Sequence, residues 1–175
     1  MNYRVRRHAT QCAFVILLAM ALPSPASAQA ISTFIMNDFH YRCLDANGFD
    51  RIQPNYCPVP AGPHWLFDQV PGAAANVRTI RAPNTESCME AGDESILYRQ
   101  CTGAKNQQWI VERHEARPPS SGVRGIRIRS VERSTQCIDA YRANQVRLWE
   151  CGTSQQQQWN IFGSLFDQMC PLNRC

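Results

Sequence analysis

Residues 137–159 read CIDAYRANQVRLWECGTSQQQQW: an opening of cysteine, apolar residue, carboxylate and alanine, a second cysteine 14 positions on, and a tryptophan eight positions after that. The same marks occur twice upstream. CLDANGFDRIQPNYC (43–57) leads to Trp65 and CMEAGDESILYRQC (88–101) to Trp109, each tryptophan again eight residues past the closing cysteine. The openings lie 45 and 49 residues apart, the longer step absorbing the ARPPSSG stretch at 116–122. Self-similarity at such a period marks a repeat architecture. Read alone, the four glutamines 155–158 look like a low-complexity tract. Aligned with Gln107-Gln108-Trp109, they become a positioned Gln-x-Trp with extra glutamines before it, a motif that the first unit replaces with Pro63-His64-Trp65.

Upstream of each opening cysteine stands a strand-like segment: ISTFIM, NVRTIRA and GVRGIRIRS. In the third, the alternation from Ile126 to Arg129 fits one buried and one wet face, which makes Arg127 and Arg129 solvent-side residues rather than an anion site. PVPAGP (58–63), PGAAAN (71–76) and ARPPSSG break the chain with turn residues, so short strands joined by loops are expected and long helices are not. A unit of this size cannot bury a core alone. Three of them closing around a shared axis can, with Trp65, Trp109 and Trp159 as core rather than as a binding stripe.

The first 28 residues carry Arg4, Arg6 and Arg7, then an apolar run from Ala13 to Leu22, then Ala26-Ser27-Ala28. The run is too short to span a bilayer, and the small residues suit a signal peptidase cutting after Ala28 or Ala30. The expected product is secreted, or periplasmic in a bacterium, with no membrane span. Removing residues 1–28 takes three arginines and no acid, so the net charge falls from +4 to +1, with 15 cationic against 14 acidic side chains. Bulk charge therefore points to no nucleic-acid partner. Cys12 leaves with this segment, and the remaining eight cysteines are an even set in an oxidising compartment.

Registered cysteines, Cys-apolar-Asp-Ala openings and Gln-x-Trp closings over about 31–162 resemble the ricin B-type lectin family. The resemblance implies an all-β fold, a β-trefoil of three pseudo-symmetric lobes and twelve short strands, with lobes at about 31–75, 76–122 and 123–162 and a tail at 163–175. It implies intra-lobe disulfides Cys43–Cys57, Cys88–Cys101 and Cys137–Cys151. Each closes a loop that contributes about 3 kcal/mol by the chain-entropy estimate. Cys170 and Cys175 stand outside the repeats, either bridged to each other or linking the tail elsewhere.

The family also supplies positions for sugar binding: the carboxylate two after the opening cysteine, an aromatic platform two before the closing one, and an amide three before the tryptophan. The third lobe has Asp139, Trp149 and Gln156, with Gln157 beside it and Arg147 where the family often has Gln. These make it the expected carbohydrate-binding lobe, although Asp139 can equally brace a turn and Trp149 can pack on a neighbour. The second lobe offers Asn106 and Gln107 but Glu90 for Asp and Arg99 at the platform. The first has Asp45 and Gln53 but Asn55 at the platform and Gly62 at the amide, with Tyr56 one residue off register.

Catalytic and metal signals are weak. His40, His64 and His114 are scattered with no H-E-x-x-H, no G-x-S-x-G is present, and Asp93 and Glu94 sit side by side in a loop. The sequence thus leads to a lectin without cofactor or enzymatic activity, recognising galactose-like or related sugars on cell-surface glycans or polysaccharide, mainly through its third lobe. The alternative is a cell-binding or docking subunit of a bacterial toxin-like complex, joined to a partner protein, with degenerate sugar sites.

Overall fold

The computed structural model describes residues 31–46, 50–57, 64–114 and 125–161. The segment 1–28, Gly62 and the tail with Cys170 and Cys175 lie outside the described residues. The chain is all β: β1 (Ile31–Thr33), β2 (Ile35–Asn37), β3 (Cys43–Asp45), β4 (Gln53–Asn55), β5 (Trp65–Gln69), β6 (Val77–Arg81), β7 (Ser87–Ala91), β8 (Ile96–Gln100), β9 (Gln108–Arg113), β10 (Gly125–Ser130), β11 (Gln136–Arg142), β12 (Gln145–Glu150) and β13 (Trp159–Ile161). The count exceeds the expected twelve because the first strand is divided at Phe34 into β1 and β2.

That division closes a barrel. β1 pairs with β5, and the pairing runs on through β6, β9, β10 and β13 back to β2, antiparallel throughout. The other six strands form three hairpins, β3–β4, β7–β8 and β11–β12. Each hairpin leaves the barrel at its opening cysteine: Cys43 pairs with Met36, Cys88 with Arg81 and Cys137 with Arg129. Four strand positions per repeat, six in a closed barrel and six in hairpins, make a β-trefoil.

The core is written in triplets. Ile35, Ile80 and Ile128 precede the barrel residues that pair with the hairpin cysteines; Leu44, Met89 and Ile138 follow those cysteines; Ile52 immediately precedes β4, and Ile96 and Val146 lie on β8 and β12. All are buried, as are Trp65, Trp109 and Trp159 and, two residues beyond each, Phe67, Val111 and Ile161. Burying side chains of this size stabilises a fold by about 1.5–3 kcal/mol apiece. The indole N–H groups are satisfied in register, donating to the carbonyls of Leu44 (2.8 Å), Met89 (3.1 Å) and Ile138 (3.0 Å). An unpaired indole N–H would oppose burial, so each tryptophan is fixed by the apolar residue of its own repeat's opening.

The disulfides are intra-lobe, Cys43–Cys57, Cys88–Cys101 and Cys137–Cys151. They staple the mouths of the hairpins. The hairpins are knit together at their far ends, where the Ile52 amide donates to the Ile96 carbonyl (2.9 Å), that of Tyr98 to Asp50 (2.9 Å) and that of Leu148 to Glu94 (3.3 Å). Arg127 and Arg129 do lie on the outward-facing side of β10, yet they are only partly exposed, because both close on Glu112 of β9 at 2.7 and 3.0 Å.

The glutamine run is ordered. Residues 155–157 form one 3-10 turn, matched by 105–107 in the second lobe. Gln158 packs against Gly125, where a Cβ would meet its amide nitrogen at 2.5 Å, so a larger residue there would displace the Gln158 side chain.

Candidate functional site

The strand register compares the lobes without counting residues. Opposite the opening carboxylates stand Gln53 (facing Asp45), Leu97 (facing Glu90) and Arg147 (facing Asp139). Opposite the opening cysteines stand Asn55, Arg99 and Trp149. These two positions, on one face of each return strand, decide what each lobe presents.

In the third lobe Asp139 is 2 % exposed. Its Oδ2 accepts from the Gln157 amide at 3.2 Å and its Oδ1 from Arg147 Nε at 3.3 Å. Gln157 also donates to the Glu150 carbonyl (2.9 Å) and accepts from the Gly152 amide (2.8 Å). Both ends of its amide are therefore engaged in bracing the hairpin's exit, and it has no free edge for a ligand. Gln156 contributes backbone, its carbonyl accepting from the Asn37 side chain at 3.0 Å. Trp149 is 53 % exposed, and the Arg147 guanidinium lies 3.9 Å over its ring and 4.6 Å from the Tyr141 ring. A guanidinium over an aromatic face gains quadrupole attraction while keeping its edges for hydrogen bonds.

These side chains border a cleft of about 870 Å³ between the three hairpins. Arg51, Ile52 and Gln53 line it from the first lobe and Gly92 to Ser95 from the second, while Tyr141, Asn144, Gln145, Arg147 and Trp149 face it from the third. Tyr141, Asn144 and Gln145 were not among the residues singled out by motif. They sit at the β11–β12 tip, where the register shifts between Asp139 and Arg142 and the Tyr141 hydroxyl donates to the Gln145 side chain. The one available signal was the aromatic–polar turn YRANQ inside the repeat.

The second lobe has the same brace. Gln107 donates to Glu90 (2.8 Å) and the Gln100 carbonyl (2.9 Å) and accepts from the Thr102 amide (2.7 Å). Its outer face differs. Leu97 replaces the cation, and Arg99 crosses to Asp50 of the first lobe at 2.7 Å. Asn106 sits in the 3-10 turn, partly buried. In the first lobe Asn55 donates to Asp45 at 3.1 Å, so an amide occupies the platform position and consumes part of the carboxylate. Gln53 faces the common cleft instead. Tyr56 is 73 % exposed, with Arg42 3.5 Å over its ring. The Arg42 hydrogen bond and charge lower the Tyr56 hydroxyl pKa from its ordinary value.

Elsewhere the described residues hold no group of three or more metal-ligating side chains, and no helix among them is long and apolar enough to cross a membrane. Asp93 is a fully solvated side chain paired with Arg133 at 2.7 Å.

No protein-family model and no curated protein matches the sequence. Solved structures do. The fold is similar to a Macrolepiota procera ricin B-like lectin in complex with lactose (TM-score 0.60, 17 % identity, covering 77 % of this chain and 96 % of that one). It is similar to the Haemophilus ducreyi cytolethal distending toxin (0.55, 16 %, 73 % and 80 %) and to a mosquitocidal holotoxin (0.62, 15 %, 76 % and 17 %). Within larger matches the chain spans a minor part, 31 % of a Clostridium perfringens endo-β-galactosidase that releases GlcNAcα1-4Gal and 29 % of a GH43 β1,3-galactosidase. At these identities the likeness is one of architecture, and the chain has a ricin B-like β-trefoil fold.

Proposed function

We propose that the protein is a secreted lectin that binds a glycan at the third lobe, against Trp149 and the cleft it borders. The observation that carries this reading is a half-exposed indole beside a fixed guanidinium at the edge of a polar recess. Sugars need that combination, an aromatic face for their C–H surface and fixed polar groups for their hydroxyls. The ricin B-like neighbour in complex with lactose supports a galactose-like or related sugar. Asp139 and Gln157 enter as the brace that holds β12, rather than as groups that touch ligand. The reading assigns binding and no catalysis, and residues 1–28 as the export signal.

A shallow single site binds weakly, so useful avidity needs several copies or a multivalent surface. Trp149→Ala should abolish capture on a glycan array, while the melting temperature stays within a few degrees of wild type. Full glycan binding by that variant would remove the third lobe as the site.

A second reading has its own support. Phe39, Tyr41 and Tyr56 are exposed rings on the first lobe, and the toxin neighbours carry the same fold. Such a surface suits a subunit that docks a partner protein. On this reading the array stays silent. A non-reducing gel of native secreted material then shows a heavier band that collapses on reduction, through Cys170 or Cys175.

A further inference from the structure

We infer that the third lobe selects sugars that carry an oxyanion, a carboxylate or a sulfate, and that Arg147 is the receptor for that group; the inference rests on the glycan reading above.

A lobe made for neutral sugars leaves its carboxylate free to accept hydroxyl protons. Here that capacity is spent. Asp139 is buried, with one oxygen on Arg147 Nε and the other on the Gln157 amide. What reaches the cleft is the guanidinium. Nε anchors it to Asp139, and its carbon lies over the rings of Trp149 and Tyr141, 3.9 and 4.6 Å from their centroids. Among the described residues, no hydrogen bond or ion pair engages Nη1 or Nη2. A guanidinium held by one edge and packed on aromatic rings presents its remaining N–H donors as a planar fork, the geometry that matches carboxylate and sulfate oxygens.

The other lobes isolate the feature. At the position opposite the carboxylate they carry Gln53 and Leu97, both uncharged. Across the cleft stand two acids, Asp93 and Glu94, and one more cation, Arg51. Asp93 is paired with Arg133 and Arg147 with Asp139, which leaves Glu94 against Arg51 and a cleft of balanced charge. Within that balance, the Nη donors of Arg147 are the groups open to an oxyanion.

The test is an array of matched pairs, each neutral glycan beside its sialylated and its sulfated derivative, with lactose, 3′-sialyllactose and 3′-sulfated lactose titrated in solution. The acidic members should bind about tenfold tighter, as expected for one charge-assisted pair. Added sodium chloride should shrink that advantage. Arg147→Gln should erase it while leaving residual binding of the neutral sugar, and Arg147→Lys should keep only part of it. Arg147→Gln leaves Asp139 with less compensation, so the Arg147→Gln/Asp139→Asn pair serves if the single variant misfolds. The sialylated and sulfated arms separate carboxylate from sulfate. Equal binding within pairs, or a preference that survives Arg147→Gln, overturns the inference and leaves the lectin reading standing. Capture of no glycan at all overturns both.

Discussion

In the second lobe Gln107 ties Glu90, the Gln100 carbonyl and the Thr102 amide together; in the third, Gln157 ties Asp139, the Glu150 carbonyl and the Gly152 amide. The three bonds recur at equivalent positions of the two repeats, and the second lobe adds a fourth from the Thr102 hydroxyl to Gln107 at 3.2 Å. Around them the hairpin faces part company, Leu97 and Arg99 in one and Arg147 and Trp149 in the other. The second lobe spends its cation on Asp50 of a neighbouring lobe, whereas the third stacks its cation on its own aromatic residue. Architecture in this chain resides in inward positions and in hydrogen bonds to backbone. What distinguishes the hairpin faces resides in two outward positions that those bonds leave free to vary.

The strongest way to break the comparison is to empty the shared core. Trp109→Ala and Trp159→Ala should each cost about 3–5 kcal/mol in denaturant unfolding, because each deletes a fully buried indole and orphans a carbonyl partner. A loss in one lobe several-fold larger than in the other would mean that the lobes are not equivalent frames. Removing the braces is milder. Gln157→Leu should destabilise by about 1–3 kcal/mol, and Gln107→Leu by less, because Asp139 is buried while Glu90 is partly exposed and can turn to water.

The smallest effect lies on the seam between these two lobes. Burial would raise the Glu112 pKa, but hydrogen bonds and charge from Arg129 and Arg127 outweigh it and the pKa is lowered. A carboxyl with a depressed folded-state pKa contributes stability above its unfolded value, near 4.3, and loses it as pH falls through the folded value. Melting measured downward from about pH 5 should therefore show a steeper decline in wild type than in Glu112→Gln. Parallel curves would exclude the pair as a pH-dependent contribution.

Much of this frame could be read from the chain alone. Cysteine spacing, the three tryptophans and the Gln-x-Trp register are local signals, and they foreshadow the disulfides, the buried indoles and a polar brace at the exits of the second and third hairpins. The outer faces were harder. That Arg99 reaches Asp50, or that Arg147 lies on Trp149 rather than pointing to solvent, depends on side-chain direction and on neighbours distant in sequence. Arg127 and Arg129 show the same limit, since alternation places them on the outward face but says nothing of Glu112. Gln157 was legible as a positioned residue, and its role as brace rather than ligand contact followed only from its hydrogen-bond partners.

The return of the pairing order from β13 to β2 bears on how the chain is made. Each disulfide joins cysteines 13 or 14 residues apart, so every hairpin can be stapled soon after it emerges. The ring cannot close until residues 159–161 have been synthesised. Until then β2 and β10 each expose an unpaired edge, a template for pairing with another chain. A chain that lacks residues 159–161 therefore carries two sheet edges open to aggregation.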